Sequence, residues 1–117
     1  AIFTGRRPDL VNMLCAMDVF TLPSIYEGSP VSAVEAFANG LPVVLSSSIT
    51  KGLRFLSSVE YIDIDAKSCE LWAKTIIDFS KRGRDENAVS IINKNGYNVI
   101  SVAELLASSY KRIVVKK

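Results

Sequence analysis

The stretch Asp18-Val19-Phe20-Thr21-Leu22-Pro23-Ser24-Ile25-Tyr26-Glu27-Gly28-Ser29-Pro30, running on through Val34-Glu35-Ala36 to Gly40-Leu41-Pro42-Val43-Val44, decides the fold. Asp18–Pro23 reads as a short buried strand closed by Pro23 and Ser24. Pro30–Asn39 reads as a helix, with Ser29 as N-cap, Pro30 at its first position and Gly40 just past its end. Leu41–Ser46 is a further buried strand. A strand, a tight loop, a helix and another strand in succession make a βαβ unit, and such units build parallel sheets.

The same alternation extends in both directions. Upstream, Ala1–Thr4 reads as a strand ending at Gly5. Pro8–Met17 reads as a helix with Leu10, Met13, Leu14 and Met17 on one face. Downstream, polar Ser47–Lys51 is a loop and Gly52–Ser57 a weak helical turn. Val59–Ile64 is a more polar strand near an edge. Ser68 caps a helix to about Lys81 with Leu71, Trp72, Ile76 and Phe79 as its buried stripe. Helices at Asp85–Asn95 and Val99–Val115 follow, and Lys116-Lys117 is a solvated end. The expected fold is α/β: one domain over residues 1–117, with a Rossmann-like parallel sheet of about four strands and helices on both faces.

Composition removes several classes of function. With 117 residues and a net charge of +2, the chain lacks the excess of positive charge that a binder of nucleic acid draws on. It has no histidine, so a Ser-His-Asp triad or a His-rich metal site cannot form from its residues. Cys15 and Cys69 are far apart and follow no metal-ligand spacing; Cys15, inside Met13-Leu14-Cys15-Ala16-Met17, reads as a buried thiol. Two lone thiols fit a reducing cytoplasm. No run of eighteen apolar residues and no signal peptide stands out. The opening without Met, directly in a strand-like segment, reads as a piece of a longer protein.

In an open parallel sheet, ligands bind at the carboxyl ends of the strands. Here the loop Tyr26–Pro30 leaves a strand and enters a helix almost at once. Gly28 permits close approach of backbone to ligand. The N–H groups at about Val31, Ser32 and Ala33 present a partial positive charge where a phosphate or pyrophosphate fits. Glu27 lies in this loop, and Glu35 lies about 6–8 Å behind the helix start along its axis. One carboxylate meets the part of a ligand beyond its phosphates and the other the part behind them, as a base–ribose–diphosphate–sugar requires. Each Glu taken singly reads as a solvated surface charge; it is their company with Gly28, Pro30, Gly40 and Pro42-Val43-Val44 that favours a ligand.

These residues, with two Glu separated by seven positions, resemble the signature of the retaining GT-B glycosyltransferases, from Gly5 to about Ser48. Leu45–Lys51 and Glu70-Leu71-Trp72-Ala73 are similar to the branch that builds bacterial exopolysaccharide and capsule. The resemblance implies the C-terminal, donor-binding domain of such an enzyme. Glu27 would face the donor sugar as the catalytic carboxylate, and Glu35 would hold the ribose hydroxyls. Backbone N–H groups of Gly28, Ser29, Val31 and Ser32, shaped by Pro30, would hold the sugar and the leaving diphosphate. Gly5, Arg6 and Arg7 lie where the family approaches the base; for the two arginines, a plain exposed loop is an equal reading. No metal or other cofactor is implied.

By the same resemblance the donor is a UDP-sugar, and a hexose passes to a glycan or lipid-linked acceptor held by an N-terminal domain that is not part of this sequence. The protein would be cytoplasmic, with peripheral contact at the inner face of a membrane; Lys81-Arg82-Gly83-Arg84 is a short basic run that either touches lipid or is a solvated helix end. The Arg and Lys that commonly clamp the diphosphate in this family would precede Ala1, and Arg6, Arg7 and Lys51 do not replace them. The expectation is a binding module with little or no transferase activity by itself. A nucleotide-sugar epimerase of GT-B fold and a non-catalytic flavodoxin-like or receiver-like module are the competing readings. The Glu27/Glu35 pair counts against the first, and the lack of an acidic cluster around Asp63 and Asp65 counts against the receiver. Ser46-Ser47-Ser48 falls near the expected nucleotide.

Overall fold

The structure, a computed structural model, describes residues 1–115; the expected solvated end Lys116-Lys117 lies outside them. The elements are α1 (Leu10–Ala16), β1 (Phe20–Leu22), α2 (Val31–Ala38), β2 (Val43–Ser46), β3 (Val59–Ile62), α3 (Cys69–Ser80), α4 (Ala88–Ile92) and α5 (Val99–Val115). The strands form one parallel sheet in the order β1-β2-β3, with Phe20 opposite Val43 and Val43 opposite Val59.

Every residue of β2 is buried, as a central parallel strand flanked on both faces must be. Its side chains alternate between two cores. Val43 and Leu45 join Phe37, Leu41, Ile49, Leu53, Leu56, Ala88 and Ile92 on the face covered by α2, α4 and the 47–58 connection. Val44 meets Ile62, Phe79, Trp72 and Ile76 on the face covered by α3. Helices on both faces of a parallel sheet match the expected class.

The turn from α2 into β2 shows why Gly40 stands where it does. The Gly40 N–H donates to Phe37 O at 2.7 Å and the Leu41 N–H to Ala36 O at 3.1 Å, the paired bonds of a Schellman motif. That geometry puts Gly40 at φ 82°, and an added Cβ would lie 3.0 Å from Arg84 Cβ and 3.1 Å from Asp85 O. Gly40 O in turn accepts the Asp85 N–H at 2.9 Å, which pins the chain after α3 onto the end of α2.

Several expectations are corrected. Among the described residues the sheet has three strands where about four were expected. Ala1–Thr4 pairs with no strand among the described residues, and Ile2 and Phe3 are 91% and 96% exposed. Four residues lying alone along the three-residue β1 would form too few hydrogen bonds to offset the entropy of ordering them. Asp85–Asn95 is not one helix: α4 ends at Ile92, and the wide turn Asn93–Tyr97 breaks at Asn95 and at Gly96, whose φ is 86°. Ser68 does not cap α3 through its side chain; Asp65 Oδ1 accepts the Ser68 N–H at 2.7 Å, capping a 3₁₀ turn at Ala66–Ser68 that leads into the helix. Cys15 is exposed, because Leu14 takes the inward position and the next residue points 100° away. In α3, Phe79 is buried and Trp72 and Ile76 half-buried, whereas Leu71 is 53% exposed.

Candidate functional site

The site begins where β1 ends. Pro23 stops the strand, and the loop Ser24–Ser29 carries the chain to α2. Pro30, at φ −78° and ψ 77°, makes an inverse γ-turn in which the Val31 N–H donates to Ser29 O at 2.9 Å. Pro30 O then accepts the Ala33 N–H at 3.0 Å and the Val34 N–H at 3.3 Å, so the helix starts on Pro30 and not on the expected Ser29 cap. This corrects the set of free donors. The N–H groups of Val31 and Ala33 are used inside the turn, while those of Gly28, Ser29 and Ser32 have no acceptor among the described residues. A Cβ placed on Gly28 would meet nothing within 4 Å, so the loop faces open space there.

Glu27 is half-buried in this loop. Ser24 Oγ donates to Glu27 Oε1 at 3.2 Å, and the Thr50 N–H donates to Glu27 O at 3.4 Å. The connection after β2 therefore holds the main chain of Glu27, a role for Thr50 that the sequence reading missed. Ser46 is fully buried, and its Oγ accepts the Ser48 N–H at 3.1 Å, which turns the chain toward that contact. Ser47 Oγ donates to Asp63 Oδ1 and Trp72 Nε1 to Asp63 O at 3.0 Å, so Asp63 joins the ends of β2 and β3 to α3.

Glu35 stands on the second turn of α2, exposed, in a cleft of about 300 Å³ between α1 and α2 that is lined by Leu10, Val11, Leu14, Ala38 and Asn39. The cleft has apolar walls and one carboxylate. Glu27 does not line it: one carboxylate stands in the loop before α2 and the other in the cleft. The upstream segment reaches α1 through Gly5, at φ 62°. Arg7 forms an exposed ion pair with its near neighbour: its Nε and Nη2 donate to Asp9 Oδ1 and Oδ2 at 2.8 and 2.6 Å. The pair pushes the guanidinium pKa up and draws the Asp9 carboxyl below its ordinary value.

The basic run after α3 is exposed, as a solvated helix end is, but its guanidinium groups diverge. Arg82 lies over the Phe79 ring, 3.9 Å from its centroid, and Arg84 is folded back onto α1 and α2. Among the described residues no three His, Cys, Asp or Glu side chains form a group that could hold a metal ion, and no helix is long and apolar enough to cross a membrane.

Residues 1–80 match the model of the family described as glycosyl transferases group 1. Over 99% of its length the chain is 27% identical to the UDP-Gal:alpha-D-GlcNAc-diphosphoundecaprenol alpha-1,3-galactosyltransferase of Escherichia coli. It is 36% identical over 71% of its length to EpsF of Bacillus subtilis (strain 168), a protein named as a glycosyltransferase. A third relative, the N,N'-diacetylbacillosaminyl-diphospho-undecaprenol alpha-1,3-N-acetylgalactosaminyltransferase of Campylobacter jejuni, is 48% identical over 38% of the chain. The chain spans 31%, 22% and 12% of the lengths of these relatives. No solved structure matches it. A match over more than half the chain, on a parallel α/β sheet with its glycine-bearing loop at the strand ends, places this chain in the group 1 glycosyltransferase family.

Proposed function

We propose that this chain is the donor-binding part of a retaining glycosyltransferase that takes a hexose from a nucleoside-diphosphate sugar, with UDP as the carrier. The acceptor is a glycan or a lipid-linked saccharide in polysaccharide biosynthesis, held by residues outside this chain. The observation that carries the reading is the juxtaposition at α2. Three N–H groups without an acceptor among the described residues, of Gly28, Ser29 and Ser32, lie at its start next to Glu27 in the chain, and Glu35, on the second turn of the same helix, lines the cleft between α1 and α2. Donors fixed by the backbone need no reorganisation as charge develops on the departing diphosphate. Glu27, steadied by Ser24 and Thr50, faces the sugar, and Glu35 takes the ribose hydroxyls. Pro30 and Val31 shape the turn and do not donate to the ligand.

Two relatives whose printed names carry a diphosphoundecaprenol substrate support the lipid-linked acceptor; with such an acceptor the protein would work in peripheral contact with a membrane, at its cytoplasmic side. The reading calls for no bound metal, and the chain alone transfers little or no sugar.

Calorimetric titration of the chain with UDP, GDP and ADP, beside Glu35→Ala, tests the reading. Saturable binding of one diphosphate that weakens at least tenfold in Glu35→Ala is expected, as for loss of a charge-assisted bidentate contact worth about 1.5–3 kcal/mol. Silence up to millimolar concentrations, both here and in a longer parent protein that includes the upstream residues, overturns it.

A further inference from the structure

We propose that Arg84 is a positioning residue for the donor cleft: its guanidinium ties the C-terminal ends of α1 and α2 together and so sets the spacing of the walls around Glu35. The inference rests on the donor-site reading given above for its functional half, and on geometry alone for its structural half. Nη2 donates to Leu14 O at 3.0 Å, to Cys15 O at 2.9 Å and to Met17 O at 2.9 Å. Nη1 donates to Asn39 O at 2.8 Å and to Asn39 Oδ1. Leu14 and Asn39 are at once partners of Arg84 and lining residues of the cleft, one on each wall.

Little else holds α1 in place. It has seven residues, too few to be stable as a free helix, and it buries Leu14 alone. Its last carbonyls have no partners within the helix, and α1 carries no basic residue in its final turn. A guanidinium supplied from seventy positions along the chain satisfies Leu14 O and Cys15 O and places positive charge at two helix C-termini together. Only a planar fork can do this, because two separate nitrogens must reach two helices; the single ammonium of Lys offers no such span. The fork is itself held from behind. Gly83 turns the chain at φ 74°, and the next peptide is bonded to Gly40 O at 2.9 Å. Asn39 adds a weaker tie, Nδ2 to Cys15 Sγ at 3.6 Å.

The test compares the chain with Arg84→Met, Arg84→Lys and Phe79→Leu, the last lowering stability through the core on the opposite face of the sheet. Two readouts are taken well below the melting temperature: hydrogen exchange of α1 amides relative to α2 amides, and the dissociation constant for UDP. Arg84→Met is expected to speed α1 exchange about tenfold over α2 and to weaken UDP about tenfold, since several hydrogen bonds to a charged group are lost. Arg84→Lys should behave nearly as badly, and Phe79→Leu should change neither ratio nor affinity. Unchanged α1 exchange in Arg84→Met, or a uniform rise over the whole chain, overturns the clasp. Faster α1 exchange with UDP affinity intact overturns its service to the cleft. Absence of UDP binding both by the unsubstituted chain and by a longer protein that includes the upstream residues defeats the donor-site reading and that service with it, while the exchange ratio still decides the clasp.

Discussion

Replacing Gly40 with Ala should be the most costly of the glycine substitutions, and Gly83→Ala provides its internal control. Both residues have positive φ, 82° and 74°, so an added Cβ is strained at either. That strain costs about 1–2 kcal/mol, offset by about 0.4–1 kcal/mol from the stiffer unfolded chain. At Gly83 a Cβ would meet nothing within 4 Å, so about 1 kcal/mol is the whole effect. At Gly40 the Cβ meets Arg84 Cβ at 3.0 Å, Asp85 O at 3.1 Å and Asp85 N at 3.3 Å. Two of these are backbone atoms, which cannot swing aside. Relief requires the 84–85 segment to move off α2, at about 1–3 kcal/mol more for overpacking. The expected loss is thus about 2–4 kcal/mol for Gly40→Ala. At roughly 4 °C per kcal/mol for a chain of this size, the melting temperature should fall by about 4 °C in Gly83→Ala and by about 8–16 °C in Gly40→Ala. Far-UV circular dichroism melts of the three proteins give the comparison. Equal losses in the two variants would refute the argument that Gly40 is set by the contact and not by φ alone.

Other substitutions separate the roles assigned above. Ser29→Ala should change stability by less than about 0.5 kcal/mol in urea denaturation, because α2 starts on Pro30 and the Ser29 hydroxyl caps nothing; a loss of 1 kcal/mol or more, typical of a broken cap, would restore the Ser29 assignment. Phe37→Ala, fully buried between α2 and the sheet, should cost about 3–5 kcal/mol and leave a broad thermal transition or none. Asp65 is held below its ordinary 3.8 by hydrogen bonds from the Ser68 hydroxyl first and the Ser68 N–H second. A lowered folded-state value adds stability that is fully present above the unfolded-state value and is lost as pH falls through the folded one. The difference in urea midpoint between the chain and Asp65→Ala should therefore be largest near neutrality and narrow as pH drops below 3.8, whereas a gap that widens in acid would contradict the assignment.

Local signals in the sequence were readable because local physics sets them. Gly40 needs positive φ within its own turn, and Pro42-Val43-Val44 needs only to be apolar and extended, so the α2–β2 unit is placed to within two residues of its observed ends. The Glu27 loop and the Glu35 helix follow from the same unit. What the sequence hides is set by partners far along the chain. The strand expected at Ala1–Thr4 has the right residue types but no neighbour in the ladder. Arg84 reads as part of a solvated basic run, since nothing near it in sequence tells that its acceptors are Leu14, Cys15 and Met17. The free N–H groups at α2 differ from the expected set for a subtler reason: the γ-turn at Pro30 consumes one N–H group, and whether a proline before a helix makes that turn depends on ψ, which its ring does not fix.

α5 is the element least absorbed into the rest. It is seventeen residues long, its main packing is against the Asn93–Tyr97 turn, and Val99, Ile100, Leu105, Leu106, Tyr110, Ile113 and Val114 along it are exposed. The molecule measures 59 × 29 × 28 Å with a radius of gyration of 17.2 Å, against about 13 Å expected for a compact chain of this length. A rod on a small body tumbles anisotropically. Helical N–H vectors run along the rod, so α5 amides should show longer apparent correlation times in nitrogen relaxation than amides of the sheet. Small-angle scattering should give a distance distribution with a tail beyond the domain's own diameter.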